Sequence, residues 1–340
     1  MARRLAVKKF RTAIVRPPAH TDWRERMAEA ERSMARDFAE ARSFSQWRQV
    51  RATRRLLMLL LWTILCIPVQ AVAIWGMPLF GRRPAVAIAR TYHAVNCRIG
   101  GIRVTVAGTP ATGPAGTGAT RPVVFVSNHT SWADILVLGG VLEACFVSKA
   151  EVGTWPLIRT VARLGRTVFV SRRRTETGRE RDELAARLAA GDSIILFPEG
   201  TTSDGGRVLP FRSALLGMVE TGPEARNPPL VQPVSIVFDR LDGLPVGRKD
   251  RAHFAWYGDM NIADHAWVLL SRRSSGATVL LHPPLDPADF PSRKALADAA
   301  YAAVDAGAAA LRQGRPVPAP PPEASPTLHG AGGGAAPRAA

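Results

Sequence analysis

From residue 102 onward the chain alternates short runs of β-branched and apolar residues with longer stretches whose apolar positions recur at helical spacing. The runs Ile102–Val106, Val123–Ser127, Ala144–Ser148, Thr167–Ser171, Ser193–Phe197, Leu230–Phe238, His253–Tyr257 and Ala277–His282 predict strands. Trp132–Leu142, Trp155–Leu164, Gly178–Ala190 and Ser213–Glu220 predict helices between them, and an alanine-rich helix over about 292–312 closes the pattern. Strands with no polar face are covered on both sides. The expected fold class is therefore α/β, a mostly parallel or mixed sheet flanked by helices.

The first quarter of the chain reads differently. Leu56–Phe80 is 25 residues without a charge, bounded by Arg54–Arg55 and by Arg82–Arg83. About 20 apolar residues span a bilayer core as a helix, and the run begins too far from the start to be a secretory signal. Pro68, Gln70 and Pro78 interrupt it, so a bent helix dipping into one leaflet fits as well as a straight span. Residues 22–50 predict a charged helix with a thin apolar stripe, lying on the membrane surface, on the main domain or in solvent. These patterns divide the chain into a basic helical membrane-anchoring region (1–90), a catalytic domain (91–313) and a Pro/Gly/Ala-rich tail (314–340) that is expected to be disordered.

Charge sharpens this picture. Of the net charge of +17, residues 1–90 contribute +12, from 18 Lys/Arg against 6 Asp/Glu. Such asymmetry points to lipid head groups or nucleic acid. The neighbouring apolar run favours lipid, and no aromatic stacking motif supports nucleic acid. Cys66, Cys97 and Cys145 show no CxxC spacing, which suggests a reducing compartment and neither a disulfide framework nor a zinc site.

Candidate chemistry gathers at strand ends. In "NHTSWAD", His129 follows a predicted strand and Asp134 enters the next helix, where the helix dipole favours a carboxylate and Ser131 can act as a cap. A carboxylate that holds one imidazole nitrogen leaves the other free as a base. In "SIILFPEGTTSDG", Glu199 can accept from a substrate hydroxyl, and Gly200 permits a tight turn with exposed N–H groups. Strand carboxyl ends are where α/β sheets bind ligands. "VARLGRTVFVSRRR" places Arg172 at a strand end, Lys149 ends the strand before it, and cations there suit phosphate. No GxSxG elbow, Walker loop or GxGxxG is present, and no paired His/Cys set suggests a metal.

These blocks, in this order, resemble the 1-acyl-glycerol-3-phosphate acyltransferase family over about residues 121–285. "NHTSWAD" is similar to its first block, which implies a catalytic His129 and Asp134. "GRTVFVSR" resembles the second, implying that Arg172 binds acceptor phosphate. "FPEGTTS" resembles the third, implying acceptor recognition by Glu199, Gly200 and Thr201, and "VQPVSI" (231–236) resembles the fourth, near the acyl-binding region. The resemblance implies acyl transfer from acyl-CoA or acyl carrier protein to the hydroxyl of 1-acyl-glycerol-3-phosphate. It implies membrane lipids as surroundings, a lysophospholipid acceptor, no cofactor or metal, and an inner-membrane location with the site facing the cytoplasm. "LPFRSALL", with Arg212 and Ala214 where many members have Lys and Gly, also resembles the subgroup that acylates lyso-ornithine lipid, which keeps that acceptor as the alternative. A membrane adaptor without catalysis is the rival of another class, and the intact His-x4-Asp and Glu-Gly-Thr blocks argue against it.

Overall fold

Successive residues of a strand point to opposite faces, and Val123–Ser127 is buried at every position. Val123 and Phe125 enter one apolar cluster, with Val137, Leu138, Ile236 and Val279. Val124 and Val126 enter another, with Leu184, Leu196, Leu296 and Ala300. A core on each face is what the unbroken apolar runs predict, and each fully buried Val, Leu or Phe there contributes about 1.5–3 kcal/mol.

The computed structural model describes residues 32, 46–111, 121–149, 160, 162, 165–170, 177–222, 224 and 227–315. All elements named here lie in one compact unit, residues 44–340. The helices are α1 (Gln46–Trp75), α2 (Met77–Phe80), α3 (Arg83–Gly100), α4 (Ala133–Val141), α5 (Thr177–Ala189), α6 (Ile262–Ser271) and α7 (Arg293–Arg312). The strands are β1 (Ile102–Ala107), β2 (Val123–Ser127), β3 (Cys145–Lys149), β4 (Val168–Val170), β5 (Ile194–Leu196), β6 (Leu230–Leu241), β7 (Leu244–Pro245) and β8 (Ser275–Leu281). They form a mixed sheet in the order β1-β8-β6-β2-β5-β3-β4, with β7 hairpinned onto β6. Strands β4, β3, β5, β2 and β6 are parallel, while β8 runs antiparallel to β6. The carboxyl ends of β2, β3 and β5 therefore open on the same side of the sheet.

Among the described residues one helix, α1, is long and apolar enough to cross a membrane, and 6% of its most apolar window is buried. Leu57, Leu61, Ile64, Leu65, Val72 and Trp75 are exposed on it, as suits a membrane-associated helix. Pro68 is carried inside α1, and the chain breaks instead at Gly76, ahead of Pro78. α1 packs on α3, where the Gln70 amide donates to the Ala85 carbonyl at 3.0 Å.

Two sequence expectations about secondary structure are corrected. His253–Tyr257 is no strand: a 3-10 turn, Asp250–His253, leads into irregular chain, and its alternating apolar residues are buried without a ladder partner. Ser213–Glu220 shortens to a 3-10 turn, Ser213–Leu216, because Leu216 and Val219 already reach the core. Two helices, α3 and α6, went unpredicted. Of the predicted helix 22–50 only 32 and 46–50 are described, of Trp155–Leu164 only 160 and 162, and the tail from 316 lies outside the described residues.

Candidate active site

The loop after β2 is held from several sides by hydrogen bonds. Asn128 extends the strand pairing: its amide donates to the Ile236 carbonyl at 2.9 Å and its oxygen accepts the Ile236 N–H at 2.8 Å. The His129 N–H donates to Glu199 Oε1 at 2.8 Å, and the His129 carbonyl accepts from Ser203 N–H at 2.8 Å. The Thr130 carbonyl accepts from Trp256 N–H at 2.9 Å. Trp256 lies in the segment misread as a strand, and this bond is what its backbone does instead.

Asp134 sits in the first turn of α4 and is fully buried. Its Oδ2 accepts three hydrogen bonds, from Thr130 N–H at 2.7 Å, Ser131 N–H at 2.9 Å and His129 Nδ1 at 2.9 Å. The carboxylate thus closes the loop onto the helix start, while Ser131 Oγ accepts from Ala133 N–H at 3.3 Å. A carboxylate only accepts, so Nδ1 carries the proton and Nε2 keeps a free lone pair. The imidazole stacks on Phe197, with centroids 3.9 Å apart and planes 14° from parallel, and Phe197 in turn stacks on Phe146. Trp132 Nε1 donates to His265 Nδ1 at 2.9 Å, and burial lowers the His265 pKa to about 4, so that ring stays a neutral acceptor.

Glu199 follows β5, the strand beside β2, and is 1% exposed. Its Oε2 accepts from Leu209 N–H at 3.1 Å while Oε1 holds His129. Burial raises its pKa to about 8, with the Asp134 charge adding to the rise and the two backbone N–H groups opposing it. With each oxygen held by a backbone N–H, Glu199 is a strut of the His129 loop. Gly200 takes φ +69°, a left-handed conformation that suits glycine. Its N–H is spent on the Phe197 carbonyl at 3.0 Å, so it is not the exposed donor that the sequence suggests.

Arg212 was singled out in the sequence only as a departure from the family pattern. Its N–H binds the Pro198 carbonyl at 2.9 Å, and its guanidinium lies 3.4 Å from where a Cβ on Gly200 would sit. Among the described residues it has no ion-pair partner. Thr201 is exposed beside it. Lys149 ends β3 on the same side of the sheet, and Arg172 lies outside the described residues. No group of three His, Cys, Asp or Glu among the described residues is placed to hold a metal ion. The arrangement is a buried carboxylate, an oriented imidazole with one free nitrogen, and the Arg212 guanidinium beside Gly200.

Comparison with known proteins gives the same class of chemistry. Residues 104–237 match the acyltransferase family. The chain is 39% identical over 209 residues to the lyso-ornithine lipid O-acyltransferase of Brucella abortus, covering 61% of this chain and 76% of that one. It is 26% identical over 178 residues to the 1-acyl-sn-glycerol-3-phosphate acyltransferase of Neisseria gonorrhoeae, covering 52% and 65%. Its fold is similar to the crystal structure of the 1-acyl-sn-glycerophosphate acyltransferase of Thermotoga maritima, with TM-score 0.51, 21% identity and coverage of 76% and 97%.

Proposed function

The chain belongs to the lysophospholipid acyltransferase family, and from that premise we propose that it transfers a fatty acyl group to the free hydroxyl of a lyso-ornithine lipid. The higher identity to a relative named for that acceptor, compared with one named for 1-acyl-glycerol-3-phosphate, carries the reading. It reverses the order in which the sequence ranked the two. The donor is a thioester, acyl-CoA or acyl carrier protein, and the reaction takes place at a membrane surface.

His129 Nε2 takes the proton of the acceptor hydroxyl as its oxygen attacks the thioester carbonyl. Asp134 fixes the tautomer that leaves Nε2 free and stabilises the imidazolium that forms. When the tetrahedral intermediate collapses, the C–S bond breaks and the imidazolium returns its proton to the departing thiolate. The N–H groups of Thr201 and Thr202 have no acceptor among the described residues and are available to the developing oxyanion. Glu199 keeps His129 in place, and Arg212 supplies a cation for the acceptor head group. The fold needs no acyl-enzyme, because the hydroxyl being activated belongs to the lipid.

The test is turnover by the full chain in detergent micelles, with lyso-ornithine lipid and 1-acyl-glycerol-3-phosphate compared under each donor. A higher kcat/KM for lyso-ornithine lipid is the expected result. Transfer to the glycerophosphate acceptor alone would overturn the acceptor, and no transfer to either would overturn the reaction.

A further inference from the structure

The end of the anchor helix that carries arginines is bolted to the catalytic unit. Arg51 Nη1 donates to the Ser271 carbonyl at 2.9 Å, and Arg55 donates to the carbonyls of Leu270, Arg272 and Arg273 at 3.0, 2.6 and 3.1 Å. Helices leave their last carbonyls unpaired, and these two guanidinium groups satisfy those of Leu270 and Ser271 in α6 and of the two residues that follow it. Beside this joint opens a cavity of about 600 Å³. Its rim carries Arg55, Arg98, Arg103, Arg273 and Ser274, its floor includes Cys97 and Val137, and among the described residues no acidic one lines it.

Four elements bring these arginines together. Arg98 lies in the last turn of α3, Arg103 in β1, Arg273 between α6 and β8, and Arg55 on α1. Gly101 lets the Arg55 guanidinium lie against the backbone: a Cβ there would fall 2.2 Å from Nη2. Asp242 is the nearby acid, and its Oδ1 is occupied by the N–H groups of Arg273 and Ser274, at 2.6 and 3.2 Å. Arg98, Arg103 and Arg273 are exposed and have no ion pair among the described residues. Like charges gathered around one cavity repel one another, and an anion placed among them relieves that repulsion.

Position identifies the anion. The uncharged run of α1 starts at Leu56, directly after Arg55, and its outer face is apolar and exposed. With that run in hydrocarbon, Arg55 and the cavity stand at head-group height, where arginines meet lipid phosphate. The apolar floor suits the glycerol and upper chain of the same lipid. We propose that this cavity is a binding site for the head group of an anionic membrane phospholipid. The site rests on the anchor helix and the arginines and is independent of which acceptor the enzyme uses.

The experiment is thermal unfolding of the full chain in neutral detergent, with short-chain phosphatidylglycerol, short-chain phosphatidylcholine or inorganic phosphate added. A ligand that binds only the folded state raises the melting temperature. Phosphatidylglycerol should raise it by several degrees, and the other two should leave it unchanged. Arg98→Gln/Arg103→Gln/Arg273→Gln should abolish the shift. Arg248→Gln/Lys249→Gln/Lys294→Gln, which removes the same charge from exposed positions that do not line the cavity, should retain it. Equal loss in both triple variants would reduce the effect to diffuse surface charge and overturn the site. An equal shift with inorganic phosphate would make it a free-anion site and overturn the lipid assignment. Acyl carrier protein, added in a separate arm in place of lipid, should give no shift, and a shift with it that is absent with lipid would assign the cavity to a protein partner and likewise overturn the proposal.

Discussion

The imidazole of His129 lies flat on the ring of Phe197, 3.9 Å away between centroids. Phe197 is the last residue before the Pro-Glu-Gly turn, so the chain leaving β5 supplies both the ring under the imidazole and the carboxyl group that holds its backbone. A ring face attracts a cation by about 0.5–2 kcal/mol. Phe197 therefore favours the imidazolium of the transition state over the neutral ring of the ground state. Phe197→Leu should lower kcat about two- to thirtyfold, the factor those energies convert to, with both substrate KM values nearly unchanged. A steady-state comparison reads this, and a rise in KM with kcat unchanged would count against it.

His129→Ala removes the proposed base, and Asp134→Asn turns the carboxylate that accepts three hydrogen bonds into an amide. General-base catalysis is worth about a hundred- to ten-thousandfold, and each variant should lose at least that much turnover. His129→Ala should stay folded by circular dichroism. Asp134→Asn should also melt lower, because an amide oxygen accepts more weakly than a carboxylate from the loop N–H groups.

Glu199 makes the fold sensitive to pH. Its folded pKa, about 8, lies above the ordinary value of 4.5. The folded state therefore holds a proton that the unfolded chain has released across that window. Linkage then makes the Glu199 contribution complete below pH 4.5, declining as pH rises, and spent above about 8. Glu199→Gln keeps one acceptor oxygen and turns an NH₂ toward the other N–H, so it should be less stable than wild type at low pH. The gap in melting temperature between the two should narrow from pH 5 to pH 9. A gap that widens with pH would mean the carboxyl group is ionised in the folded protein at neutral pH.

The parts of the site that depend on one segment were legible in the sequence, and those that depend on sheet order were not. β2 and the start of α4 could be read from Val123–Ser127 and the residues after it, and with them the pairing of His129 with Asp134. That pairing needs only five residues of chain. The strut from Glu199 to His129 needs β5 beside β2, an adjacency that no local pattern records. The bond from Trp256 to Thr130 was hidden for the same reason. Ala255 and Tyr257 are buried as strand residues would be, but their backbone serves a loop instead of a ladder. Helix α3 escaped notice because its β-branched and small residues blur the helical period, and its burial depends on α4 and α1.

The last prediction concerns how the acceptor is held. Arg212 presents its guanidinium beside Gly200 and has no acid to satisfy it among the described residues. A lyso-ornithine head group offers a carboxylate, which a guanidinium can meet with two parallel bonds. Arg212→Ala should raise the acceptor KM about tenfold or more, since a hydrogen bond to a charged group is worth roughly 1.5–3 kcal/mol. Donor KM should stay nearly unchanged, because binding lost equally from ground and transition states appears in KM for that substrate alone. Arg212→Lys should recover part of the loss, as an ammonium cannot make the paired contact. Arg172→Ala supplies the contrast. If Arg172 serves phosphate, its loss should damage use of 1-acyl-glycerol-3-phosphate more than use of lyso-ornithine lipid. Measuring both acceptors across wild type and the three variants separates the two cations. An unchanged lyso-ornithine KM in Arg212→Ala would remove Arg212 from the head-group site and leave Lys149, at the end of β3, as the cation to test next.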